Sequence, residues 1–202
     1  MSTRNNDWLS KILSYVDSPF KLMAIIIMSV LGFTGYVLIN HQDILLGAYR
    51  ENQKLPEIAD GRLDDAVAHL FRHTQAEVVA IFKVNPILGT RMLYRAYTRE
   101  GRDKTKEGID VGLFSNNASN NRDVVALMAG ETPCGEYTTA QSEIGLWYIE
   151  KGMRYGCRIS IPPDKTRFIG QITVGWQEQP GDIDRMRNML QIAATMLSRD
   201  KK

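Results

Sequence analysis

The residues from Leu22 to Asn40, LMAIIIMSVLGFTGYVLIN, include no charged side chain. In a chain that is 24% charged, 19 such residues in succession restrict local structure more than any other feature. As an α-helix the apolar part, Leu22 to Ile39, would extend about 27 Å, close to the hydrocarbon thickness of roughly 30 Å. A helix satisfies its own backbone hydrogen bonds, so one such segment can cross lipid alone. Lys21 bounds it on one side and Asn40, His41, Gln42 and Asp43 on the other. The alternatives are a buried core helix and a cleaved signal peptide. A signal peptide has a shorter apolar region and small residues at its cleavage site, whereas the bulky polar NHQD follows here. An uncleaved span is therefore expected, with Leu22, Ile25, Ile26, Ile27, Val30, Leu31, Phe33, Val37, Leu38 and Ile39 meeting membrane lipid.

Orientation follows from Lys and Arg near the span's ends. Arg4, Lys11 and Lys21 precede it, and Arg50 and Lys54 follow within fifteen residues. That bias favours a cytoplasmic N-terminus and an extracytoplasmic remainder, periplasmic in a Gram-negative host. Before the span, Trp8, Leu9, Ile12, Leu13, Tyr15 and Val16 fall on one helical face, opposite Ser10, Lys11, Ser14 and Asp17. Such a short amphipathic helix would lie in the headgroup layer; an N-terminal tail with chance periodicity is the alternative. Gly32 and Gly35 offer slight grounds for self-association through the span. The expected organisation is an N-terminus over 1–20, a span over 21–40, a linker over 41–61 and a folded unit over 62–202.

In that unit the hydrophobic period changes from 3.6 to 2. Leu63, Val67, Leu70, Phe71 and Thr74 share a helical face. Val78 to Val84 and Arg91 to Arg99 read as a strand pair around Asn85-Pro86-Ile87-Leu88-Gly89. Asn121 is placed to cap a short helix from Arg122 that Gly130 stops. Ile144 to Glu150, Met153 to Ile161 and Arg167 to Trp176 read as an antiparallel meander, turning at Lys151-Gly152 and at Pro162-Pro163-Asp164-Lys165. In its last strand Phe168, Gly170, Ile172, Val174 and Trp176 face one way, and the more polar set Ile169, Gln171 and Thr173 the other. After Pro180-Gly181-Asp182, Ile183, Met186, Leu190, Ala193, Ala194 and Leu197 stripe a final helix. The expected fold class is α+β: a five-stranded antiparallel sheet with flanking helices behind one transmembrane helix.

Positive grounds for catalysis are missing: no GxSxG, P-loop or GxGxxG occurs, and no carboxylate pair can be assigned to acid and base. The expectation is a non-enzyme without cofactor. His69, His73 and Glu77 stand at i, i+4 and i+8, but HLFRH is not HExxH, and a solvated polar face is favoured over a metal row. Arg91, Arg95, Arg99, Arg102, Lys104 and Lys106 cluster around Tyr94 and Tyr97, yet Glu100, Asp103 and Glu107 sit among them. With a net charge of only +2, a solvated strand end is the expectation and no nucleic-acid partner is implied. Trp147, Tyr148 and Trp176 are expected in the core. Cys134 and Cys157 would form a disulfide in an oxidising compartment, stabilising by about 3 kcal/mol on the chain-entropy view; two unpaired thiols are the alternative.

In the last fifty residues, Tyr155-x-Cys157, the run Phe168-Ile169-Gly170-Gln171-Ile172-Thr173-Val174-x-Trp176, and Asp184-Arg185-Met186 through Ala193-Ala194-x-Met196-Leu197-Ser198-Arg199 occur in an order that resembles the holins of T-even bacteriophages. The resemblance extends to the layout: amphipathic N-terminus, one span, α+β domain. It implies a lysis protein that oligomerises in the host inner membrane, opens lesions at a set time to release endolysin, and is delayed by an antiholin bound to its periplasmic domain. Where that family has a second cysteine in its terminal helix this sequence has Leu190, which leaves Cys134 as the intramolecular partner for Cys157. The same terminal pattern also looks like the end of a GAF-type ligand-binding domain, with GAF/PAS-like topology, which implies a membrane-anchored sensor. That reading ranks second here because no output module follows before Lys202.

Overall fold

The computed structural model describes residues 18–40, 57–140, 142–164 and 167–199. The amphipathic face from Trp8 to Val16, linker residues 41–56 and the Leu38 side chain lie outside the described residues. The chain divides into two compact units, Met1–Gln53 and Lys54–Lys202.

The first unit contributes α1 (Pro19–Asn40). Its most apolar window, Pro19–Val37, is long and apolar enough to span a membrane, and none of it is buried in protein. Ile26, Ile27, Met28 and Tyr36 are all more than half exposed, on successive sides of the helix. An apolar surface on every side needs a nonpolar solvent or a partner.

The second unit is a six-stranded antiparallel sheet in the order β4-β3-β2-β7-β6-β5. Its strands are β2 (Val78–Asn85), β3 (Thr90–Thr98), β4 (Gly101–Arg102), β5 (Cys134–Glu136), β6 (Tyr155–Ile161) and β7 (Gly170–Trp176). A separate two-stranded ribbon pairs β1 (Glu57–Ile58) with β8 (Ser198–Arg199). Against the expected five strands, β4 and β5 are additions of two and three residues, too short to show a period. The segment 144–150 is a correction in kind: it belongs to a helix, Glu143–Glu150, so the three-strand meander reduces to the β6–β7 hairpin. The Ser142 hydroxyl caps that helix, accepting from the Gly145 amide at 3.0 Å. Lys151-Gly152 consequently joins a helix to a strand.

Period-2 alternation distributes β2 to both sides of the sheet. Val79 and Ile81 face one core with Ile159, Ile172, Val174 and Trp176, while Val78, Ala80 and Phe82 face the other with Leu93 and Ala96. The first core is covered by α2 (Leu63–Thr74) and by the C-terminal helix Ile183–Leu197. Leu63, Val67 and Leu70 interlock there with Met186, Leu190 and Leu197. In the C-terminal helix the Asp182 carboxylate accepts the Arg185 amide at 2.9 Å, which anchors its first turn.

The second face carries α3 (Ala118–Met128) and α4 (Glu143–Glu150); the C-terminal helix is α5. The α3 cap is Asn117, four residues before the expected Asn121, because Asn117 Oδ1 accepts the Asn120 amide at 2.9 Å. Its C-terminus is where expected: Gly130, at φ +72°, takes the left-handed position that favours glycine. Trp147, Tyr148 and Trp176 are all buried, as expected, with Trp147 on α4 and not on a strand.

The loop before α3 is clamped to α4 by charge. Trp147 Nε1 donates to Asp103 Oδ2 at 2.9 Å, and Asp103 Oδ1 accepts the Thr105 hydroxyl at 2.6 Å and amide at 3.0 Å. Lys106 Nζ pairs with Glu143 at 2.6 Å. The Thr105 bonds, then that from Trp147, lower the Asp103 carboxyl to about 2. Because its folded value is depressed, the contribution is complete above the unfolded value of 3.8 and is lost as pH falls towards 2. Asp103→Ala should lower stability on the order of 1 kcal/mol near neutral pH, after allowance for solvent screening. Thermal melts of the two proteins should converge only as pH falls to about 2.

Candidate functional site

Between the sheet and α3/α4 lies a cavity of about 130 Å³. Its floor follows from strand register. Phe82 on β2 pairs with Gln171 on β7, and Arg158 on β6 pairs with Thr173 on β7, so these side chains emerge on the α3/α4 side. Arg91 enters from β3, where it pairs with Val84. Asn120 and Asp123 come from α3, and Ile144 and Tyr148 from α4. Val111, Ser115, Tyr137 and Ser142 complete the wall from loops. Close approach of Tyr137 to α4 requires glycine at 145, where a Cβ would stand 2.5 Å from the Tyr137 hydroxyl.

The polar set Gln171 and Thr173, expected on the more polar face of the last strand, is therefore buried against this cavity, at 2% and 0% exposure. Both faces of β7 are interior. Arg91 corrects the solvated basic cluster: it is 7% exposed, while Arg95 and Arg102 meet Glu107 at 3.5 and 2.6 Å towards the surface. The register explains the separation, because Arg91 is two residues from the fully buried Leu93 and shares its face.

The polar groups hold one another in fixed orientations. Arg91 Nη1 donates to Gln171 Oε1 at 3.2 Å and Nη2 to Asn120 Oδ1 at 2.5 Å. Gln171 Nε2 then donates to Thr173 Oγ1 at 2.8 Å, which fixes its amide direction. Arg158 Nη1 pairs with Asp123 Oδ2 at 2.7 Å. The Arg91 amide donates to Asp110 Oδ1 at 3.0 Å, tying the loop to β3. Two buried polar atoms in the wall, Arg91 Nε and the Tyr148 hydroxyl, have no hydrogen-bond partner among the described residues. Thr173 is within reach of that hydroxyl and acts on it as a weak hydrogen-bonding neighbour, short of normal hydrogen-bond geometry.

Burial dominates the titration of the site. It pulls the Arg91 guanidinium down, opposed by Tyr148, Asp123 and Asp110. It pushes the Tyr148 and Tyr137 phenols up, so both keep their protons at neutral pH and can donate. Tyr137 and Tyr148 meet edge to face at 5.7 Å. The lining contains no histidine or cysteine, and its one carboxylate, Asp123, is occupied by Arg158. Fixed donors around a partly open cavity suit recognition better than proton transfer.

Cys134 and Cys157 face each other across β5 and β6 and are joined by a disulfide. The bond attaches the short edge strand β5 to the sheet, three residues before Tyr137. Leu190 is fully buried under the sheet. His69 and His73 stack at 4.7 Å on α2, and Glu77 turns away to pair with Arg99 at 3.1 Å. Among the described residues no group of three or more His, Cys, Asp or Glu side chains is placed to hold a metal.

No protein-family model matches the chain, and no curated protein matches it significantly. Solved structures do match. The GAF domain of a two-component sensor histidine kinase from Bacillus halodurans superposes with a TM-score of 0.53 at 14% identity, covering 69% of this chain and 90% of that one. A far-red cyanobacteriochrome photoreceptor does so at 0.51 and 11% identity, covering 80% and 94%. At these identities the likeness is one of fold: the domain after α1 has the architecture of a GAF domain.

Proposed function

We propose a single-span membrane protein whose GAF-fold domain lies outside the cytoplasm and binds a small molecule between the sheet and α3/α4. The observation that carries this reading is the partly open cavity, whose polar side chains are oriented by one another and two of whose buried polar atoms lack partners among the described residues. Native interiors rarely keep such groups without a use. The apolar helix exposed on every side supports the anchor. The Cys134–Cys157 disulfide supports an oxidising compartment for the domain, in agreement with the Lys and Arg bias around the span. The full chain, purified in detergent, should show a raised melting temperature with at least one compound of a small-metabolite panel. At a hundredfold excess over Kd the stabilisation should reach about 2.7 kcal/mol. A panel without effect would contradict the reading.

One specific observation favours a second reading, a T-even-type lysis holin. The resembling strings fall in β6, β7 and α5, and Tyr155, Cys157, Ile172, Trp176, Ala193 and Leu197 among them are core residues. They therefore speak for a shared way of packing this domain. In that reading the chain self-associates in the inner membrane, and an antiholin meets the domain. Induced expression with a cytoplasmic endolysin should then produce abrupt lysis; continued growth with abundant protein in the membrane would contradict it.

A further inference from the structure

We infer that the cavity takes a compact monoanion with a short apolar end, a carboxylate of roughly two to four carbons, held at Arg91. The inference rests on the ligand-binding reading above and names the chemical class. Size is the first constraint. A volume of about 130 Å³ is close to the roughly 150 Å³ that holds a benzene ring, so an occupant of a few heavy atoms fills it. Drug-sized ligands occupy roughly 300 Å³ or more, so a nucleotide or a tetrapyrrole does not fit the cavity as it stands.

Charge is the second. Arg91 is 7% exposed, and among the described residues no carboxylate lies within ion-pair distance of its guanidinium. Its two terminal nitrogens rest on the neutral oxygens of Gln171 and Asn120, and Nε has no acceptor. The other cation in the wall, Arg158, already has Asp123 at 2.7 Å. Asp110 also attracts Arg91 but is not among the lining residues, so within the wall two guanidinium groups meet one carboxylate, and a buried guanidinium without a direct ion pair is stabilised by a counter-ion.

The remaining walls narrow the anion. The Tyr148 hydroxyl, which has only a weak neighbour in Thr173, is a second donor for a carboxylate oxygen. Asp123 would repel a second negative charge, which disfavours a phosphate dianion. Phe82, Val111 and Ile144 supply an apolar side where an alkyl group, and not a second polar group, is at home.

The test compares sodium propionate with its neutral isostere propionamide on the full chain in detergent, at constant ionic strength, by thermal melting and calorimetry. Propionate should raise the melting temperature and bind at least tenfold more tightly than propionamide. Tyr148→Phe should weaken propionate about tenfold while leaving the ligand-free melting temperature equal or higher, because it removes a buried hydroxyl without a partner. Arg91→Gln should abolish the preference for the acid over the amide. Equal or tighter binding of propionamide overturns the inference and leaves the ligand-binding reading intact. If neither compound binds while another in the metabolite panel does, the inference alone falls; if the whole panel is silent, both fall.

Discussion

Replacing Ile27 and Leu31 together by arginine should remove the chain from the membrane fraction. Each arginine near the middle of a spanning helix costs about 2.5 to 3.5 kcal/mol on insertion scales, and each loses a favourable Ile or Leu contribution of about 0.5 kcal/mol. For the pair, roughly 6 to 8 kcal/mol exceeds what one helix of this composition can offset. Both positions are exposed on α1, at 51% and 61%, so the substitution removes no protein packing. The readout is carbonate-resistant membrane association of the full chain, where wild type stays in the pellet and the double variant does not. An unchanged pellet would mean that α1 is not a span. Leu31→Ala should be silent in the same assay.

Loss of the disulfide should be the largest effect within the domain. The bond spans 23 residues of sequence, for which the chain-entropy model gives about 3 kcal/mol. In a unit of 149 residues that corresponds to a melting temperature lower by roughly 6 to 12 °C. Cys134→Ala with Cys157→Ala should match wild type under reducing conditions, and reductant should not affect the double variant. The loss should also reach the cavity. Once β5 is released, Tyr137 keeps its backbone bond from its amide to the Arg154 carbonyl at 2.7 Å, but no longer the covalent attachment three residues earlier. Ligand binding by the reduced protein should weaken in parallel with stability. Identical melts with and without the bond would contradict its structural role.

What could be read from the residues follows from the range of the signals. The long apolar helix α1 is legible because absence of charge over nineteen positions is a local property. β2, β6 and α5 are legible because their periods persist for seven residues or more, and α3 ends at Gly130 for a stereochemical reason that the sequence states. α4 is misread because EIGLWYIE is only eight residues long and Ile144, Trp147, Tyr148 and Ile149 in it are β-branched or aromatic, so it suits either element. The signal that identifies it, Ser142 followed by Glu143 at a helix start, is present and is outweighed by propensity. β4 and β5 become strands only through their neighbours in the sheet.

The cavity was not legible as a site. Its polar residues come from β3, β6, β7, α3 and α4, and only tertiary structure brings Arg91 to Gln171, eighty positions away. One trace was available: Arg91 is in phase with Leu93 in β3, so it shares the face of a core residue, unlike Arg102. Similarly, Gln171 and Thr173 read as the polar face of a half-exposed strand because the residues that bury them, on α3 and α4, are distant in sequence. A strand buried on both sides with polar residues on one of them is a pattern that a bound ligand explains better than solvent.

The account depends most on where the domain stands. A periplasm-dependent phosphatase fused after Lys202, expressed in a Gram-negative bacterium, measures this directly, with a cytoplasm-dependent reporter at the same site as control. The account predicts an active phosphatase and a silent cytoplasmic reporter, with phosphatase activity lost in the Ile27→Arg, Leu31→Arg variant. A silent phosphatase and an active cytoplasmic reporter on the wild-type chain would contradict it, since the anchor, the disulfide and an extracytoplasmic ligand would then lose their common premise.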